Sequence, residues 1–121
     1  MHAFLLRLSP LFKGLSILAL AVIAWESLQT ITGTPQITHF DKIMHFLAYG
    51  VLAGLFRLGW PKVWGGGLFL AAVGFGALIE IAQGTLTDGR TASIADALAN
   101  SLGALVALFI LHFILRRYET S

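Results

Sequence analysis

Apolar residues fall along the chain in four long runs, separated by short stretches where glycine, proline and polar side chains gather. A run of about 20 apolar residues is what a helix needs to cross the hydrocarbon core of a bilayer. Lipid admits little else, because every backbone N–H and C=O must be satisfied internally. The pattern therefore predicts an all-α fold, an integral membrane bundle of four transmembrane helices. The first runs from about Leu11 to Ile31. Its apolar heart, LSILALAVIAW, gives way at Glu26 to Ser27, Gln29 and Thr30 before Gly33 and Pro35 end it. The second runs from about Phe40 to Leu58 and is closed by Gly59, Trp60 and Pro61, with Lys62 and Trp64 forming the aromatic and basic cluster typical of a membrane interface. The third, about Val63 to Gln83, is rich in glycine, which lets backbones approach closely in a bilayer. The polar stretch from Gly84 to Ser93 is expected as a loop. The fourth helix follows from about Ile94 to Leu115, with Ala95, Ala99, Gly103 and Ala107 recurring every four positions as one smooth packing stripe.

Composition removes the competing classes. The 121 residues are 57% hydrophobic and only 12% charged, whereas a soluble domain carries about a quarter charged residues. Four crossings nearly exhaust the length, so a single membrane domain over residues 1–121 is expected. The absence of cysteine excludes thiolate nucleophiles, disulfides and cysteine-ligated metal sites. A cleaved signal peptide is the alternative for the first run, because Arg7 and Lys13 precede it; the run carries on beyond Trp25 without a convincing cleavage site, which favours a retained helix.

The basic residues lie singly or in pairs at the edges of the apolar runs, where they set topology, so no nucleic-acid partner is expected. Arg7, Lys13, Arg57, Lys62, Arg116 and Arg117 fall on one side of the four segments, and only Lys42 and Arg90 on the other. Cytoplasmic loops carry the excess of Lys and Arg, so both termini are predicted to be cytoplasmic, with the loops around His39 and Asp88 on the outer face.

In that frame the remaining polar residues share the outer level. Asp41, His45 and Tyr49 are spaced four and four, so they stack on one face of the second helix. Glu80 and Gln83 lie near the end of the third, with Gly76 one turn deeper on the same side. Asp96 and Asn100 open the fourth, Arg90 and Ser93 sit in the loop before it, and Glu26 can approach from the first. A charge at a helix centre costs roughly 2.5–3.5 kcal/mol on insertion scales, less near the interface. Groups gathered at one level can offset that cost by sharing hydrogen bonds around a hydrated pocket. The competing reading is a polar clasp that only specifies helix packing.

Within the cluster, His45, Glu80, Asp41 and Asp96 are the candidate catalytic groups. His45 has the chemistry of a general base, with Asp41 one turn away to orient its imidazole. The same spacing equally suits a histidine bonded to a carboxylate that holds two helices together. The ligand spacing matches no zinc signature, so neither a metal nor a cofactor is expected. Lys42, Arg90, Tyr49, Gln83, Ser93 and Asn100 are the candidate binding residues. The fork of donors on Arg90 suits phosphate or carboxylate, and Lys42 adds a second positive charge, although Arg90 can equally pair with Asp88, Glu80 or Asp96. Gly84, Thr87 and Gly89 form no phosphate-binding motif. The glycines at 65–67 are expected to ease helix packing or a bend.

Read together, DKIMHFLAYGVL, EIAQ and GRTASIADALANSLGA, in this order over roughly residues 41–107, resemble the signature of the VanZ-like family of small membrane proteins. The family takes its name from a member associated with resistance to the glycopeptide teicoplanin. The resemblance falls on Asp41, Lys42, His45, Tyr49, Glu80, Gln83, Gly89, Arg90, Asp96, Asn100 and Gly103. It implies a multi-pass protein of the bacterial cytoplasmic (inner) membrane that affects the cell envelope or antibiotic susceptibility, and it implies no known reaction. The expected partners are membrane lipids or a lipid-linked cell-wall precursor, and nothing in the sequence sets an oligomeric state. Binding of an anionic envelope component at the polar pocket is the leading expectation. An intramembrane enzyme acting on a phosphate- or acyl-linked lipid is the alternative. A proton or ion path is a third, weakened by the scarcity of polar residues in the inner halves of the segments.

Overall fold

A computed structural model of the chain describes residues 2–28, 39–86 and 94–119. Five helices cover nearly all of them: α1 (His2–Arg7), α2 (Ser9–Leu28), α3 (His39–Gly59), α4 (Gly65–Leu86) and α5 (Ile94–Glu119). The four long helices occupy the four apolar runs, and their limits differ from the sequence reading for local reasons. The first run begins earlier, as a short helix that breaks before α2. Pro10 has no N–H to offer the carbonyl of Leu6 and its ring crowds that carbonyl, so the helix interrupts here. The chain bridges the break through Leu8, whose N–H donates to Phe4 and whose carbonyl accepts from Phe12. The third run extends three residues beyond the expected Gln83, because Gly84, Thr85 and Leu86 continue α4 instead of opening the loop. The fourth continues past Leu115 to Glu119, carrying Arg116 and Arg117 in its last turn, where the helix dipole favours positive charge.

Three helices carry apolar stretches long enough to cross a membrane, Ser9–Glu26, Gly65–Ala82 and Ile94–Arg117, and α3 adds a shorter one, Ile43–Gly59. The α3 stretch is short because polar residues crowd its beginning. Large apolar side chains such as Ile17, Leu18, Trp25, Leu70, Leu78 and Phe109 are exposed on the bundle's outer faces, as expected where the surrounding solvent is lipid.

The core is built around α3, which touches each of the other long helices and packs most extensively on α5. Tyr49, Leu52, Ala53 and Phe56 repeat at the three-and-four spacing of one helix face and meet Leu68 and Ala72 of α4 and Ala104 and Leu108 of α5. On α2, Ala19, Leu20 and Ile23 pack against this cluster. One turn further toward its start, Ser16 is fully buried and satisfies its hydroxyl on the carbonyl of Phe12. The small-residue stripe of α5 meets α3 where the two helices cross, with Gly103 buried, Ala107 packed against the core and Gly50 lying against both; Ala95, at the start of the helix, is exposed, and Asn100, Ala104 and Leu108 are buried beside the stripe.

Close contacts fix the helix directions. His45 meets Asn100, and Gly50 lies against Gly103 and Ala107. Both numbers rise together, so α3 and α5 run parallel. Gly59 lies against Lys13, and Tyr49 and Asn100 both lie against Gly76, consistent with α2 and α4 running the other way. At Gly103 the approach is tightest, since a Cβ there would collide with the backbone carbonyl of Phe46. The glycines 66 and 67 serve a different purpose from the expected helix packing. The indole of Trp64 folds over them, and a Cβ on either would strike its ring.

Candidate functional site

The antiparallel run of the chain sorts its charges to opposite ends. At one end, the turn from α3 into α4 is stapled by Arg57, whose guanidinium donates to the carbonyls of Trp60 (3.1 Å), Pro61 (2.8 Å) and Val63. A helix C-terminus leaves carbonyls without intrahelical partners, and Pro61 cannot continue the helix, so Arg57 satisfies what the chain break exposes. Beside it, Lys13 of α2 sits over the Trp60 ring, 5.7 Å from its centroid. Leu5 and Leu6 of α1 and Leu115 of α5 line a small crevice with Arg57 and Pro61, which brings Arg116 and Arg117 to the same end. The basic residues assigned to one side of the membrane therefore do share one end of the bundle. The role of Arg57 as a turn staple was missed, although an arginine in the last turn with a proline four residues later is a readable C-cap signal.

The opposite end holds the polar cluster. His45 of α3 stands with Nδ1 3.0 Å from Oδ1 of Asn100 on α5. An amide oxygen only accepts, so this bond is made by the tautomer that carries its proton on Nδ1. That fixes which edge of the imidazole faces which partner: Nε2 lies on the side of Asp96, 3.8 Å from Oδ2. This separation is longer than a hydrogen bond but within ion-pair range when the ring is protonated. The two side chains are only 16% and 14% exposed. Asp96 lies in the first turn of α5, where the helix dipole favours a negative charge.

One turn deeper, Tyr49 of α3 and Asn100 of α5 are buried and close over Gly76 of α4. A Cβ at Gly76 would come within 3.1 Å of both the Asn100 amide nitrogen and the Tyr49 ring. Glycine here lets three helices meet at a polar layer. Glu80 follows Gly76 by four residues on α4 and is likewise buried, at 7% exposure.

Five of the ten sequence-predicted site residues, His45, Tyr49, Glu80, Asp96 and Asn100, are thus gathered at this end on three helices. Asp41 and Lys42 belong to the first turn of α3 and Gln83 to the last turns of α4, all at this end by backbone position. Arg90 and Ser93 lie outside the described residues, as do the side chains of Asp41, Lys42 and Gln83. Glu26, expected to approach the cluster, is exposed near the end of α2. His112 packs edge-on against Phe113, roughly 18 Å along α5 from Asn100 at 1.5 Å per residue. Among the described residues, no three histidine, aspartate or glutamate side chains converge as a group able to hold a metal ion.

The arrangement offers a shielded set of hydrogen-bonding and ionisable groups inside an otherwise apolar bundle. No curated protein and no solved structure matches the chain. A family model described as VanZ/LLP1 does match it, over residues 2–116. The match runs from α1 to the last turns of α5 and takes in the whole polar end, in agreement with the resemblance carried by the motifs around His45, Glu80 and Asn100; the chain belongs to the VanZ/LLP1 family.

Proposed function

We propose that the protein is a single-domain, four-span protein of the bacterial inner membrane, with both termini cytoplasmic. In this reading α3 is the fourth span: its 21 residues reach about 31 Å at 1.5 Å per residue, against a hydrocarbon core of about 30 Å. The polar end then faces outward and receives an anionic envelope component, either a phospholipid headgroup or the phosphate of a lipid-linked cell-wall intermediate. Through that binding the protein affects envelope properties, including glycopeptide susceptibility.

The observation that carries the reading is the gathering of His45, Glu80, Asp96 and Asn100 at the end opposite the basic turn. Structural packing alone does not require so many ionisable groups in lipid. Support for an anion comes from Lys42, one turn ahead of His45 on α3, and from the parallel course of α3 and α5, which brings two helix N-termini to this end. Arg90, in the segment just before α5, supplies the second cation. The test is lipid retention by the purified protein in nanodiscs containing phosphatidylglycerol and phosphatidylcholine. Selective retention of the anionic lipid, lost in Lys42→Ala and Arg90→Ala, is expected. Equal retention of both lipids in the wild type, or no change in the variants, overturns the proposal.

A second reading, an intramembrane enzyme acting on a phosphate- or acyl-linked lipid, is favoured by one feature. The imidazole of His45 is oriented through Nδ1 by Asn100, an arrangement suited to a general base at Nε2. Turnover of extracted lipids that disappears in His45→Ala and Glu80→Gln would establish it; stoichiometric binding without turnover would dismiss it.

A further inference from the structure

Beneath the level of His45 and Asp96, the bundle carries two hydrogen-bond donors that the helices themselves do not use. Tyr49 and Asn100 are 2% and 3% exposed, and from α3 and α5 they reach the same glycine of α4, Gly76. Asn100 directs its amide oxygen to His45, which leaves its amide nitrogen, a group that only donates. Among the described residues, neither that nitrogen nor the Tyr49 hydroxyl has a hydrogen-bond partner. Phe75 flanks the Tyr49 ring, 6.4 Å away between centroids, so the phenol is held against α4. A methyl group on Gly76 would stand within 3.1 Å of both side chains; glycine leaves that side of the donors uncovered. Buried donors are nearly always paired, and at depth in a bilayer no bulk water pairs them.

Chemistry selects the acceptor. Two donors call for an oxygen with lone pairs to give. Glu80 already places a buried carboxyl group one turn from Gly76 on α4, which disfavours a second acid here, so a neutral carbonyl suits the layer better than a phosphate oxygen. Depth selects the carrier. Tyr49 lies one turn, about 6 Å, below His45 on α3. In a glycerophospholipid the acyl carbonyls stand at the inner edge of an interfacial region roughly 5–8 Å thick in each leaflet. A lipid with its phosphate at the level of Lys42 and His45 therefore carries its carbonyls at the level of Tyr49 and Asn100. A phosphate joined directly to an isoprenoid chain has only hydrocarbon there.

We infer that the Tyr49 hydroxyl and the Asn100 amide form a subsite for the acyl carbonyl of an ester-linked phospholipid, one turn beneath the place of its headgroup. The inference rests on the headgroup reading above for the polar end of the ligand. Of the two ligands that reading leaves open, it chooses the glycerophospholipid over the lipid-linked cell-wall intermediate.

The test uses the full chain in nanodiscs of ether-linked phosphatidylcholine, a matrix without acyl carbonyls. Ester-linked phosphatidylglycerol should be retained about tenfold over its ether-linked counterpart, as one to two such hydrogen bonds provide. Tyr49→Phe deletes only the hydroxyl, and Asn100→Asp keeps an oxygen for His45 while exchanging the donating nitrogen for a second oxygen. Each should reduce the ester preference severalfold. The carbonyl stretch of isotope-labelled phosphatidylglycerol should also move to lower frequency with the wild type and less with either variant, which a change in packing alone would not produce. Tyr49→Phe carries the comparison should Asn100→Asp fail to fold. Equal retention of ester and ether lipids by the wild type, or an ester preference that neither variant reduces, overturns the inference. Retention of both phosphatidylglycerols over phosphatidylcholine without an ester preference keeps the headgroup reading and removes the carbonyl subsite. Ester-linked phosphatidylcholine retained as strongly as ester-linked phosphatidylglycerol does the reverse.

Discussion

His45 and Asn100 stand 3.0 Å apart across the α3–α5 seam, one turn from the place where Gly103 lies directly against the Phe46 carbonyl. A polar clasp and a glycine contact therefore hold the same register between two parallel helices. Interhelical hydrogen bonds in membranes average about 0.6 kcal/mol and reach roughly 2 kcal/mol. A double-mutant cycle of His45→Ala and Asn100→Ala, read by reversible unfolding in mixed micelles, should give a coupling of about 1 kcal/mol. Additive single effects would mean that the contact contributes no measurable stability.

Gly103 should tolerate no side chain. Gly103→Ala forces a Cβ into a backbone carbonyl, which cannot give way as a flexible side chain can. Overpacking of this kind costs roughly 1–3 kcal/mol. Gly74→Ala is the matched control, because nothing lies within 4 Å of a Cβ at that position, and alanine is the better helix former. Unfolding measurements on the two variants should therefore differ in sign, with Gly103→Ala destabilised and Gly74→Ala neutral or stabilised. Equal behaviour would contradict the close crossing.

The helices were legible because each apolar run is long and uninterrupted. The polar end was legible because His45 and Tyr49, Gly76 and Glu80, and Asp96 and Asn100 are each four residues apart, a spacing that fixes a shared face whatever the neighbours. Cross-helix partners were not legible: periodicity says that Asn100 faces inward, but only the crossing at Gly103 decides that it meets His45. The small-residue stripe of α5 was legible where it crosses α3, at Gly103 and Ala107, but not where that contact ends, which leaves Ala95 exposed. The extension of α4 through Gly84 is not legible because glycine reads as a helix stop, a rule that weakens where neighbouring helices support the turn. Arg57 reads as a topology marker when its charge is taken without the carbonyls that Pro61 leaves exposed.

Arg57 gives a prediction that separates those two roles. Arg57→Ala removes one positive charge from the basic end and releases the carbonyls of Trp60, Pro61 and Val63. Hydrogen bonds from charged donors contribute roughly 1.5–3 kcal/mol each, less where water can replace them. The variant should unfold more readily and become susceptible to protease at residues 60–64, while five basic residues on that side still outnumber two on the other and preserve orientation. Arg57→Lys should restore the charge with only part of the stability, because an ammonium stops one bond short of the terminal nitrogen that reaches all three carbonyls. A reversed topology with unchanged stability would assign Arg57 to charge alone.

The orientation itself can be read with single cysteines, since the chain has none of its own and every label then reports one position. Lys62→Cys lies in the turn between α3 and α4, and Ala95→Cys is exposed at the start of α5. With both termini cytoplasmic, a membrane-impermeant maleimide applied to intact spheroplasts should label Ala95→Cys and leave Lys62→Cys unmodified until the membrane is opened. Trp64→Cys, exposed at the same end as Lys62, should follow Lys62→Cys. Once α2 has crossed, a cytoplasmic position for residues 62–64 together with a cytoplasmic N-terminus requires α3 to span back. Labelling of Lys62→Cys from outside with Ala95→Cys protected would invert the bundle, turn the polar end toward the cytoplasm and exclude an outer-leaflet ligand, whereas labelling of both from outside would mean that α3 does not span.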